Sequence, residues 1–89
     1  MSEHHLKTLA PYFDAMARGQ KWFEVRRDDR GFEKGDVLIL HRMGEDKPHR
    51  YDGFGKPETT LRRRVAYILT GGQFGIEAGY VVMSLEMAP

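Results

Sequence analysis

The spacing of apolar and polar residues at the start of the chain predicts a helix. Apolar side chains at positions 9, 12, 13 and 16 recur at helical intervals, which indicates a helix over residues 9–18 with those side chains in the core. Thr8 is the expected N-cap, and Pro11 falls in the first turn, where its missing N–H costs little. Gly19 is expected to end the helix, because glycine readily adopts the left-handed backbone found at helix C-termini.

The remaining apolar runs are short and bounded by Gly, Asp and Pro, which is typical of strands joined by turns. The five predicted strands read HHLKTL, KWFEVRR, DVLILHRM, TLRRRVAYILT and YVVMSLEM. Strict alternation in KWFEVRR puts Phe23 and Val25 on one face, which we expect to be the inner one. Trp22, Glu24 and Arg26 then share the other face. DVLILHRM is a nearly continuous apolar run and is expected to be buried on both faces.

The long strand TLRRRVAYILT contains three consecutive arginines, which cannot all share one face. Arg62 and Arg64 are expected to point outward together and are candidate phosphate contacts. Arg63 is expected to join the apolar side near one end of the sheet. The residues predicted on that apolar side are Leu61, Val65, Tyr67 and Leu69.

One helix cannot cover both faces of an open five-stranded sheet. A sheet closed into a small barrel, with the helix at one end, buries the core and protects the strand edges. The pattern therefore predicts an α+β fold, a small mixed β-barrel of about five strands with one main helix near the N-terminus. With 89 residues there is room for one core, so residues 1–89 are expected to form a single domain.

Two polar, glycine-containing segments separate the later strands. Residues 44–59 show no periodicity and are long for a connection in so small a domain, which favours a binding role for the loop 44–58. Residues 71–79, GGQFGIEAG, are expected to make a tight turn, although their backbone N–H groups could also meet a phosphate.

Charge and composition narrow the classes of partner. The 14 basic and 13 acidic residues leave a net charge of +1, which argues against coating of DNA by charge alone. The chain has no Cys and no apolar run long enough to span a membrane, and its opening residues lack the apolar core expected of a secretory signal. A cytoplasmic location is therefore expected. The four His residues lack the spacing of a ligand set, so no metal or other cofactor is expected.

The segment GQKWFEVR, residues 19–26, concentrates the chemically capable side chains. Lys21, Glu24 and Arg26 allow three interpretations, of which the plainest is a structural ion pair. In a binding site, Lys21 and Arg26 would meet an anion or a base, Glu24 would orient Arg26, and Trp22 would offer a stacking face. In a catalytic site, Lys21 would be a base or Schiff-base amine with Glu24 as its proton partner. The spacing alone leaves all three open.

The octet fits G-x-K-x-x-E-x-R and resembles the signature of the ASCH domain (activating signal cointegrator homology), part of the PUA-like superfamily. The segments DDRGFEKGDVLIL and RRVAYILTGGQFGIEAGYVV extend the similarity over almost the whole chain, to a compact bacterial and phage branch. The resemblance implies a PUA-like barrel with a cleft beside the signature strand, and RNA or a modified nucleobase as the ligand. The motif positions carried over are Gly19, Lys21, Glu24 and Arg26, with Gln73 and Phe74 expected close by.

The chain departs from the ASCH pattern at one informative position. Some ASCH-like proteins resemble small amidohydrolases, in which a Thr three residues after the signature Lys looks like the nucleophile. Glu24 stands there in this chain, and a carboxylate is a poor substitute for an activated hydroxyl. The leading expectation is therefore an RNA-binding module. The alternatives are a small hydrolase acting on a modified nucleoside through Lys21 and Glu24, and a protein-interaction module that uses the loop 44–58.

Overall fold

The computed structural model describes residues 1–44 and 59–89. The elements found there are β1 Glu3–Thr8, α1 Ala10–Ala17, β2 Phe23–Arg27, β3 Val37–Arg42, β4 Thr60–Thr70 and β5 Tyr80–Met87. The expected role of the loop 44–58 in partner contacts concerns residues that, apart from Gly44, lie outside this description.

The five strands form one mixed sheet in the order β1-β3-β4-β5-β2. β1 runs parallel to β3, and the other neighbours pair antiparallel. The sheet curls into a half-barrel, so its two edge strands, β1 and β2, approach each other across a gap. The predicted small α+β fold with five strands and one helix near the N-terminus is confirmed, but the sheet does not close fully into a barrel.

The helix α1 follows its prediction within one residue at each end. Gly19 has a φ of 75° and its N–H bonds the Met16 carbonyl at 3.0 Å, so it ends the helix as expected. The predicted cap was wrong: Leu9 occupies the N-cap position, while Thr8 is the last residue of β1. Among the described residues, no helix is long and apolar enough to cross a membrane.

The core lies on the concave side of the sheet, where α1 packs with Phe13 and Met16 buried. The buried apolar cluster consists of Leu6, Met16, Phe32, Leu38, Leu40, Val65, Val81, Met83 and Leu85. β3 is buried along almost its whole length, as its continuous apolar run predicted. Each such side chain contributes about 1.5–3 kcal/mol when fully buried, so this cluster is the main source of stability.

The two faces of β2 are the reverse of the prediction. Phe23 and Val25 are 47% and 51% exposed, whereas Glu24 is only 4% exposed. The alternation itself was correct, but alternation cannot say which face is inner when both faces carry large side chains. Glu24 is buried because two cations neutralise it from within the fold, as described below.

A β-bulge in β4 changes which of its residues face the core. The register with β5 shifts between Val65 and Tyr67, so Val65 is buried while Tyr67 is 64% exposed. Tyr67 and Leu69 therefore lie on the convex face, and their predicted placement in the core was wrong. A bulge adds one unpaired residue and inverts every later side chain, which the sequence pattern does not reveal.

Arg63 lies on the core side of β4, as predicted, and is buried. Its guanidinium stacks over the Trp22 ring at 4.9 Å and donates to the carbonyls of Arg62 and Met16. Burial lowers the pKa of Arg63. This arginine thus links β4 to the end of α1 and to the segment before β2.

Candidate ligand-binding cleft

The gap between the edge strands β1 and β2 forms a cleft of about 690 Å³, a volume typical of small-ligand sites. Its lining residues come from the end of β1, the start of α1 and the strand β2. They are Lys7, Thr8, Leu9, Tyr12, Gln20, Lys21, Phe23, Glu24, Val25 and Arg26. Six of the eight residues of the segment 19–26 therefore form one wall of this cleft.

Glu24 is the centre of the polar part of the cleft. One carboxylate oxygen, Oε1, accepts from Lys21 Nζ at 2.9 Å, and the other, Oε2, accepts from Arg26 Nε at 2.7 Å. The side chains of Lys21 and Arg26 are themselves mostly buried. A buried carboxylate is stable only when such charge-assisted hydrogen bonds replace its lost hydration. We refer to Lys21, Glu24 and Arg26 as the cleft triad.

Cationic side chains at the gap also replace backbone hydrogen bonds that are missing there. Arg26 Nη2 donates to the Lys7 carbonyl at 2.7 Å, and Arg30 Nη1 donates to the His5 carbonyl at 2.8 Å. On the opposite edge, Lys21 Nζ donates to the Phe23 carbonyl at 2.7 Å. Exposed strand edges otherwise present such carbonyls to water or to other chains. The triad therefore has a structural role in addition to any ligand contact.

Some donors of the triad remain available. Within residues 1–44 and 59–89, Arg26 Nη1 has no hydrogen-bond partner. Lys21 uses two of its three N–H bonds, and its Nζ lies 4.7 Å from the ring centroid of Phe23 and 5.7 Å from that of Tyr12. The cleft thus combines cationic donors with two aromatic rings.

Asp36 fixes the start of β1 and so the opposite wall of the cleft. Its carboxylate accepts from the N–H groups of Ser2 and Glu33 at 3.0 and 2.9 Å and bonds His4 Nε2 at 2.8 Å. Burial raises the pKa of Asp36, but the hydrogen bonds outweigh burial and hold this pKa below its usual value. The anchored strand keeps Lys7 and Thr8 facing β2.

Three of the residues predicted to contact a ligand, Lys21, Glu24 and Arg26, line the cleft. Trp22 does not line it: the indole Nε1 donates to the Gly19 carbonyl at 2.9 Å while the ring stacks with Arg63. Gln73 and Phe74 also lie outside it, in the turn between β4 and β5, where Gln73 bonds the Thr70 carbonyl.

Arg62 and Arg64 share a face of β4, as predicted, and that face is the convex side, away from the cleft. Arg62 pairs with Glu3 at 3.1 Å, and Arg64 pairs with Glu86 at 3.7 Å. Among the residues that the structure describes, no three His, Asp or Glu side chains converge as metal ligands do.

The sequence pattern missed the other seven lining residues, which are Lys7, Thr8, Leu9, Tyr12, Gln20, Phe23 and Val25. Leu9 and Tyr12 were predicted to be in the core, yet both are exposed, because Phe13 and Met16 already fill the space beneath the helix. The available signal for Tyr12 was that the apolar face of the helix carries more large side chains than the space beneath it can hold. Lys7 and Thr8 carried no local signal, since only the curling of the sheet brings β1 next to β2.

Comparison with known proteins places the chain in a family. Residues 3–85 match the family described as "Domain of unknown function (DUF3850)". A 38-residue segment is 50% identical to the "Uncharacterized 12.9 kDa protein in GpA 3'region" of Escherichia phage P2. That alignment spans 43% of this chain and only 35% of the phage protein. Because the family match covers almost the whole chain, the chain belongs to the DUF3850 family.

Proposed function

We propose that the cleft between β1 and β2 binds RNA or a modified nucleobase, in the manner expected of a PUA-like domain. The observation that carries the proposal is the cleft triad, a buried carboxylate that holds two cations at the wall of an open cleft. A purely structural ion pair requires neither the cleft nor the two aromatic rings beside it.

The proposed recognition uses the donors that the fold leaves available. Arg26 Nη1 and the third N–H of Lys21 would donate to a base carbonyl or a phosphate oxygen. Tyr12 and Phe23 offer ring faces for stacking, which is worth roughly 1–3 kcal/mol per base. Glu24 holds both cations in place and so lowers the entropy lost when the ligand is bound.

The size and charge of the cleft favour a single unpaired base over a duplex. About 690 Å³ accommodates a small ligand, and bases are free to stack where RNA is single-stranded or looped. Glu24 offsets one of the two triad charges, and the whole chain carries only +1. We therefore expect modest affinity and a shallow salt dependence, corresponding to about two to four phosphate contacts.

The geometry favours binding over hydrolysis. Each oxygen of Glu24 accepts a hydrogen bond from a cation, so the carboxylate is engaged in the ion pairs of the fold. Lys21 Nζ donates to Glu24 and to the Phe23 carbonyl, so these two contacts hold the amine against the wall of the cleft. We do not extend the proposal to amide cleavage.

The test is the affinity of labelled, short single-stranded RNA measured by fluorescence anisotropy, with matched DNA and free modified nucleosides as competitors. Lys21→Ala and Arg26→Ala are each expected to weaken binding by about tenfold or more, since a charged hydrogen bond is worth about 1.5–3 kcal/mol. Arg62→Ala is the matched control, because it removes the same charge from the convex face.

Circular dichroism melting must accompany these measurements, because Arg26 also holds β1 through the Lys7 carbonyl. Arg26→Lys retains the charge and is expected to bind better than Arg26→Ala. If Lys21→Ala, Arg26→Ala and the control Arg62→Ala all fold and bind RNA equally well, the cleft is not the binding site. A fall in affinity of several decades between low and physiological salt would also contradict it.

A further inference from the structure

The convex face of the half-barrel carries an apolar patch that extends well beyond the cleft, although Phe23 and Val25 at its edge also line the cleft. Phe23, Val25 and Tyr67 are among its exposed large side chains. Leu69 and Val82 are half-buried on the same face. We call these five residues the outer patch.

The strand register shows that the outer patch is continuous. Phe23, Ser84 and Tyr67 lie directly opposite one another across β2, β5 and β4. Val25, Val82 and Leu69 form the next row in the same way. Residues opposite each other in an antiparallel sheet share a face, so the two rows form one surface over three strands.

The two ends of the outer patch differ in charge, because one end carries a cation and the other an arginine–carboxylate pair. At one end Arg27 lies opposite Tyr80, with its guanidinium 5.9 Å from that ring, and it has no ion-pair partner in the described part of the chain. At the other end Glu86 is more than half exposed and only loosely paired with Arg64, at 3.7 Å. Along the strands, Arg27 therefore lies at one end, the two apolar rows lie in the middle, and Glu86 with Arg64 lies at the other end.

We propose that the outer patch is the contact through which two copies of this chain associate. A two-fold axis in the plane of the sheet and perpendicular to its strands would lay the apolar rows of the two copies against each other. The same rotation reverses the strand direction, so Arg27 of one copy meets the partner's Glu86 at both ends. A surface that is complementary to itself in this way suits an isologous dimer.

The dimer is expected to be weak and reversible. The exposed parts of Phe23, Val25 and Tyr67 amount to roughly 300 Å² per copy, against about 800 Å² per partner in a stable interface. Over protein concentrations from about 10 µM to about 1 mM, association should therefore be visible only near the upper end.

Sedimentation velocity over that concentration range tests the proposal, with an expected rise of the weight-average sedimentation coefficient toward that of a dimer. Tyr67→Glu should abolish the rise. Phe74→Glu is the matched control, because Phe74 is 83% exposed and lies outside both the patch and the cleft. It introduces the same charge and should leave association unchanged.

Charge reversal tests the predicted pairing. Arg27→Glu and Glu86→Arg should each weaken association by about fivefold or more, and the double variant should restore it. A monomer at all concentrations, or a dimer that tolerates Tyr67→Glu, would overturn the proposal. Because Tyr67 and Glu86 do not line the cleft, these variants should bind RNA as the unmodified chain does, so the two proposals fail independently.

Discussion

Glu24 shows how one buried carboxylate can decide the orientation of a strand. The apolar residues of β2 suggested that Phe23 and Val25 face the core, yet the core side carries Glu24 and Arg26. A carboxylate is costly to bury alone, but here each of its oxygens is held by a cation. The strand therefore turns its charged side inward, which places the triad in the cleft.

The neutral amide Glu24→Gln should destabilise the fold by about 2–4 kcal/mol, because Lys21 and Arg26 would then be mostly buried without a counter-charge. Urea unfolding followed by circular dichroism measures this loss. Glu33→Gln is a suitable control, since Glu33 is exposed and makes the same charge change. Equal stability of the two variants would show that the triad does not hold the fold together.

At the scale of elements, the parallel pair β1 and β3 contains a histidine contact that is expected to respond to pH. His5 Nδ1 lies 2.9 Å from His41 Nε2, and the two rings stack at 5.2 Å. One of the two nitrogens must carry the proton of that hydrogen bond and the other must be free of one. Burial lowers the pKa of His41, and the charge of His5 lowers it further.

The lowered pKa predicts that stability falls as the pH drops below about 6.5, the value in an unfolded chain. Between that pH and the lower pKa of the folded state, the unfolded chain binds more protons, so protonation favours unfolding. The melting temperature should therefore decrease from pH 7 to pH 5, and His41→Gln should reduce that decrease. A variant with the same decrease as the unmodified chain would exclude His41 as the cause.

Most of the elements were predictable because each has a local signal. The helix bounds follow from apolar spacing and from Gly19, and the buried strand β3 from its continuous apolar run. The bulge at Val65 and Tyr67 was not predictable, since no residue type marks it there. The three charged motif residues all line the cleft, while Lys7 and Thr8 join it only because the sheet curls and brings β1 close to β2.

At the scale of the whole molecule, the incomplete closure of the barrel creates the cleft. A fully closed sheet would pair β1 with β2 and leave no room between them, whereas here arginine side chains bridge the gap. The cleft is therefore bordered by strand edges whose carbonyl groups accept hydrogen bonds from cationic side chains. A bound ligand would contact some of the same side chains. The resemblance to PUA-like domains and the role in RNA binding remain predictions that this geometry supports.

The most direct test is a titration of the isotope-labelled protein with short single-stranded RNA, followed by the amide NMR spectrum. We predict saturable shifts concentrated in residues 7–9 and 20–26, with residues 62–64 little affected. Every residue is observed in one experiment, so the location of binding does not depend on a mutation. No shifts at high RNA concentration, or shifts confined to residues away from the cleft, would contradict the account.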